Sequence, residues 1–169
     1  MDYFDYGWWT FLFRWLHVIS GVMWVGLLWY FNFVQTPSMP NIPEDQRPAI
    51  TGHIAPRALF WFRWAALSTV VTGLIVAYMN GYILEAATLG LIDGVAKHAA
   101  IGFGGWLGLI MAFNVWFIIW PNQQKVLGLV EADPAAKASA ARTAALTSRA
   151  NTMLSIPMLY AMVSAQNLY

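Results

Sequence analysis

The sequence predicts an all-α integral membrane protein, a four-helix bundle with both termini outside. Four long apolar stretches occupy most of the 169 residues. Hydrophobic residues make up 59% of the chain and charged residues only 10%, a balance outside that of soluble domains. Three of the stretches also carry an ionisable side chain inside them, where a bilayer penalises charge, so a site is expected as well as a scaffold. One membrane domain, residues 1–169, accounts for the chain.

A hydrocarbon core of about 30 Å needs about 20 apolar residues as helix, and that ruler fits four places. The first span is expected over 8–34. It follows MDYFDYGWW, acidic where a secretory leader is basic and without a small-residue cleavage site, so it is kept as a membrane helix. Next comes TPSMPNIPEDQRP, whose four prolines and charge cluster end the helix and favour water. The second span is expected over 58–79, and the link from Asn80 to Asp93 is short enough to hold a turn of interfacial helix. The third is expected over 94–120. An alanine-rich stretch then predicts helix at or beyond the surface, followed by the fourth span over 146–167, which Pro157 should kink.

Lys and Arg set the orientation. The loop between spans one and two, with its flank, carries Arg47 and Arg57, and that between three and four carries Lys125, Lys137, Arg142 and Arg149, against Lys97 on the opposite side. Both polar loops are therefore expected in the cytoplasm of a bacterial inner membrane. A net charge of +1 provides no field for nucleic acid, and the absence of cysteine excludes disulfides, thiolate metal sites and covalently attached haem.

His17 and His98 both fall in the outer halves of their spans. On the first helix His17, Gly21, Trp24 and Leu28 share a face, and on the third His98, Gly102, Gly105, Leu109 and Ala112 do the same. Glycine beside an imidazole leaves room for a flat ligand, so the two faces suit haem b held between axial histidines. The competing reading makes these histidines interfacial anchors and the glycines, Gly104 and Gly108 included, close-packing positions. Lys97 either snorkels to the outer interface or pairs with a haem propionate or acts as a base. Toward the cytoplasm Asn32, Gln35, His53, Arg57, Arg63, Asn114, Asn151, Thr152 and Ser155 would line a polar pocket for a planar heterocycle or an anion. Alternatively the arginines are anchors and the amides stitch helices together.

Four strings, RWLHVISGVMWVGLLWYFNF, WFRWAALSTVVTGL, GLIMAFNVWFIIWPNQQKV and SRANTMLSIPMLYAM, together resemble the membrane domain of the bacterial urate hydroxylase family, the membrane-bound urate oxidases. The chain looks like a short form without that family's cytochrome c domain. The start of the first helix is also similar to the membrane protoporphyrinogen oxidase family, whose essential His and Lys would correspond to His17 and Lys97. The resemblance implies an oxidoreductase that passes electrons to a cytochrome c, and points to His17, Trp24, Gly26, Asn114, Pro121, Asn122, Gln123, Asn151 and Pro157. Two function classes follow. One is a haem b redox protein, with Lys97, Arg63, Asn114 and Asn151 as candidate catalytic groups. The other is an accessory subunit of a respiratory or photosynthetic complex, packed on partners or on further copies of itself through its aromatic surface.

Overall fold

Helix claims 84% of the chain in the computed structural model, which describes residues 4–169, and no strand occurs among those residues. The long rods are α1 (Tyr6–Asn41), α2 (Arg47–Met79) and α4 (Ala96–Val126), with the short α3 (Ile83–Ala87) between the second and third and α5 (Pro134–Asn167) closing the chain. Side-chain caps open the first and last. Asp5 accepts the Trp8 amide at 2.8 Å, and Asp133 accepts the Ala136 amide at 2.7 Å, with Pro134 in the first turn where no amide hydrogen is needed.

α1, α2 and α4 are each long and apolar enough to cross a membrane. At 1.5 Å per residue the 36 residues of α1 run about 54 Å, longer than a bilayer core is thick. The helix expected over 146–167 also forms. It begins earlier, at Pro134, and continues through Pro157 to Asn167, but it is not among the three apolar rods. The reason lies in its inward face, where Asn151, Thr152, Ser155 and Ser164 are buried against neighbouring helices.

α1 packs along α2, and α4 along α5; the pairs meet around Trp24, Leu28, Phe62, Ala66, Met111 and Val115. Close approach of α4 and α5 needs Gly104, where a Cβ would stand 3.2 Å from that of Ala161 and 3.3 Å from the Met158 carbonyl oxygen. Apolar side chains such as Val22, Trp61, Phe117 and Val163 point outward, as they do where lipid rather than water surrounds a helix. Side-chain hydrogen bonds add to the packing between the pairs. Those bonds are specific: Trp29 Nε1 donates to Ser155 Oγ at 2.9 Å, Asn32 Nδ2 to Ser148 Oγ at 2.8 Å, and Asn114 Nδ2 to Asn151 Oδ1 at 2.8 Å.

Three stretches widen to π-helical turns: Tyr30–Gln35, Ile50–Ile54 and Asn114–Ile119. Such turns are uncommon and often accompany functional sites. The up-and-down course of the chain brings residues of all three to one cavity.

Candidate functional site

The histidine end is built by α1, α2 and the 80–95 link. His17 Nδ1 lies 2.8 Å from the Thr69 carbonyl oxygen, which only accepts, so the hydrogen is on Nδ1 and the neutral ring presents a lone pair at Nε2. The Thr72 hydroxyl lies 3.5 Å from the same nitrogen. Room for the ring comes from Gly73, where a Cβ would stand 2.8 Å from His17 Cε1. His98, half-buried at the start of α4, places Nδ1 against the Asp93 carboxylate and stacks on Tyr82 with centroids 5.6 Å apart. It too leaves Nε2 for a further partner. The His98 hydrogen bond, then the Val95 amide, hold the Asp93 carboxyl below its usual range. Burial pushes the Tyr82 phenol up, and the Arg14 guanidinium acts in the opposite sense. Arg14 and Asp93 were not anticipated from the sequence; the signal was an arginine three residues before His17 and an acid five before His98.

The neighbouring glycines have assignable neighbours. A Cβ at Gly102 would run into the Ala86 carbonyl oxygen, so this glycine admits α3, which Trp106 Nε1 also fastens by donating to the Ala87 oxygen at 3.0 Å. Gly21 faces the Thr69 methyl group at 3.8 Å, and Gly105 faces open space. Trp24 is buried in the core, and its indole N–H has no partner among the described residues. Lys97 is half-buried and forms no ion pair among those residues.

At the opposite end a cavity of about 570 Å³ opens among the helices. Phe31, Asn32 and Gln35 come to it from the first π-helical turn, Thr51 and Gly52 from the second, and Ile119 from the third. Gln123 of α4 and Ser148 and Arg149 of α5 add polar groups. Both Nδ2 hydrogens of Asn32 are used, on the Leu28 carbonyl and on Ser148, leaving Oδ1 free to accept. Gln35 Oε1 is shielded from solvent without a partner. No carboxylate lines the space. Along α1, 18 residues separate Gln35 from His17, about 27 Å of helix.

Of the inner residues expected to share a pocket, the cavity gathers Asn32 and Gln35. His53 and Arg57 are exposed outside its lining, and Arg63 lies over the Trp120 ring, 3.7 Å from its centroid. Asn114 and Asn151 face each other, and Asn151 Nδ2 also donates to the Met111 carbonyl at 3.0 Å; they clasp α4 to α5 rather than line the cavity. Ser155 takes the Trp29 bond, and Thr152 donates to the Ser148 carbonyl at 3.1 Å.

Fold and site together define a class: a small helical protein of membrane proportions, with two imidazoles presented at one end and a polar cavity at the other. Residues 94–168 match the family model described as "Urate oxidase N-terminal", consistent with a urate-oxidase-related family. The matched segment runs from the start of α4 to the end of α5 and so contains His98, the Asn114–Asn151 clasp and one wall of the cavity. No curated protein matches the chain. No solved structure matches it either.

Proposed function

We propose that the chain is the membrane part of a urate-hydroxylase-like oxidoreductase in a bacterial inner membrane. In this reading α5 is a fourth crossing, both termini lie outside, and His17 and His98 would hold haem b. A separate cytochrome c would be the electron acceptor. The observation that carries the reading is the shared state of the two rings: each engages an oxygen through Nδ1 and offers Nε2, the arrangement that orients an axial histidine. The urate oxidase match over α4 and α5 supports the substrate class.

A bound haem would supply a one-electron redox centre. The chain's own part is to fix the ligands: Thr69 and Asp93 set the ring planes, Gly73 makes space for one imidazole and Tyr82 backs the other. Lys97, next to His98 in sequence, would meet an anionic group at the outer interface.

A second reading, a non-catalytic accessory subunit of a larger complex, draws on the mutual satisfaction of Asn114, Asn151, Trp29 and Ser155 and on the large exposed aromatic surface. An absorption spectrum of the purified protein, oxidised and dithionite-reduced, separates the two. A b-type spectrum lost in both His17→Ala and His98→Ala is the expected result. A spectrum that survives both substitutions would refute this ligation. Folded, colourless protein made with haem available, co-migrating with another enzyme, would transfer the assignment to the accessory subunit.

A further inference from the structure

We infer that the seam between α2 and α4, at the cavity end of the molecule, holds an anionic phospholipid whose phosphodiester is bound by Arg63 from the lipid side. The starting point is a cation without a counter-ion. Arg47, in the first turn of the same helix, donates to the Ile42 carbonyl and pairs with Glu44, whereas Arg63 has no ion pair and no hydrogen bond among the described residues. Its guanidinium rests instead on two rings, 3.7 Å from the Trp120 centroid and 5.5 Å from that of Phe60. Stacking of this kind fixes the plane of the group and leaves the N–H groups on its edge to donate, two of them side by side in the geometry that a phosphate accepts. In apolar surroundings, donors left without an acceptor are costly, so the seam calls for a ligand that accepts.

Depth chooses the kind of acceptor. Arg63 stands 16 residues from Met79 at the far end of α2, about 24 Å of helix against a hydrocarbon core of about 30 Å. With Met79 at one boundary, Arg63 lies about one turn inside the other, from which a long side chain reaches the phosphates of the leaflet. Charge then selects the lipid. α2 and α4 contain no aspartate or glutamate, and Arg57 and Lys125 are exposed a turn or two nearer the headgroups, so an anionic head is attracted and an ammonium head finds no partner on either helix. Trp64, packed on Phe60 and Trp116, is exposed beside the guanidinium and offers ring surface at the depth where a lipid's glycerol and upper acyl chain lie.

Lipid binding here rests on the membrane placement of α2 and α4 and not on haem, so a colourless protein would leave it standing. The test is native mass spectrometry of the full chain in mild detergent, titrated with dioleoyl phosphatidylglycerol or, as a zwitterion with the same acyl chains, dioleoyl phosphatidylcholine. Glycerol 3-phosphate, the head without the chains, serves as competitor. The expected result is retention of the anionic lipid about tenfold above the zwitterion, the weight of one charge-assisted hydrogen-bonded pair, with no displacement by glycerol 3-phosphate. Arg63→Gln should remove most of that preference and Arg63→Lys, which keeps the charge and loses the fork, about half of it on a logarithmic scale. Trp120→Leu should weaken it a few-fold by releasing the guanidinium, while Arg57→Gln and Lys125→Gln should each leave most of it.

Thermal unfolding of each variant separates a lost site from a lost fold, and the unaltered protein gives a reading of its own, since the anionic lipid should raise its unfolding temperature more than the zwitterion does. If Arg63→Gln misfolds, Arg63→Lys and Trp120→Leu carry the test. Equal retention of the two lipids by the unaltered protein would overturn the inference. So would a preference unchanged in folded Arg63→Gln, whether that variant is merely less stable, which would leave Arg63 as a fastening between α2 and α4, or falls from an oligomer to a monomer, which would give it to a carboxylate on another chain. A preference lost equally in the Arg57 and Lys125 variants would replace the site with a diffuse field, and displacement by glycerol 3-phosphate would replace the lipid with a free phosphate.

Discussion

Gly73→Ala reads the histidine end most directly. In an ordinary helix interior, replacing Gly by Ala stabilises by about 1 kcal/mol. Here the added methyl would stand 2.8 Å from His17 Cε1 and 3.0 Å from Nδ1, and the ring cannot yield without leaving the Thr69 carbonyl. Overpacking costs about 2 kcal/mol and loss of the hydrogen bond about 1 kcal/mol, so the net change should be a loss of about 2 kcal/mol. The argument is sharpened by a double-mutant cycle. In a His17→Ala background the methyl meets space, and the same substitution should stabilise by about 1 kcal/mol, giving a coupling of about 3 kcal/mol between positions 17 and 73. Reversible unfolding in mixed detergent micelles, followed by tryptophan fluorescence, measures all four corners. Equal effects of Gly73→Ala in both backgrounds would refute the placement of the ring. If haem is bound, Gly73→Ala should also diminish its spectrum.

Gly102→Ala, whose methyl would meet the Ala86 backbone, should destabilise by about 3 kcal/mol, while Gly105→Ala, facing open space, should be neutral or stabilising by up to about 1 kcal/mol; thermal unfolding of the pair checks the docking of α3. Asn151→Leu strips partners from Asn114 and the Met111 carbonyl and should cost about 2 kcal/mol, whereas Asn114→Leu combined with Asn151→Leu should recover part of that loss in the same assay. The Asp93 carboxyl is held below its usual range in the folded chain, so its stabilising effect is present above the ordinary carboxylate pKa and is lost as pH falls through the depressed folded value. Stability of the unaltered protein should therefore decline below about pH 4, and Asp93→Asn should flatten that limb; an unchanged profile would show that the His98 contact has no weight.

Helix positions were legible because the code for them is one-dimensional. Apolar runs long enough for a bilayer place three rods and the course of a fourth helix, and prolines with charge mark the first loop. The alanine run predicted helix ahead of the fourth apolar span, and Asp133 with Pro134 marks where α5 starts. The site was legible in part. His17 and Gln35 carry their chemistry visibly, whereas the partners that orient them, Thr69, Gly73 and Asp93, are ordinary residues whose roles exist only after helices pack. Gly102 shows the same limit: spacing puts it beside His98, while packing fills its space with a backbone carbonyl from α3. Asn114 and Asn151 stood out as polar groups at depth, which was correct as to cost, but satisfaction by each other cannot be read from either alone.

The π-helical turns give the cavity end a kind of adjustability. A turn closed by i→i+5 bonds holds one residue more than an α-helical turn in the same rod, so deleting a residue there returns the turn to α-helix and changes which side chains that turn presents while the flanking segments keep their register. Three such turns around one cavity mean that its lining can be re-registered helix by helix without redesigning a span. Related chains that differ by single-residue gaps in these turns would accordingly keep the same rods and present different side chains to whatever the cavity holds.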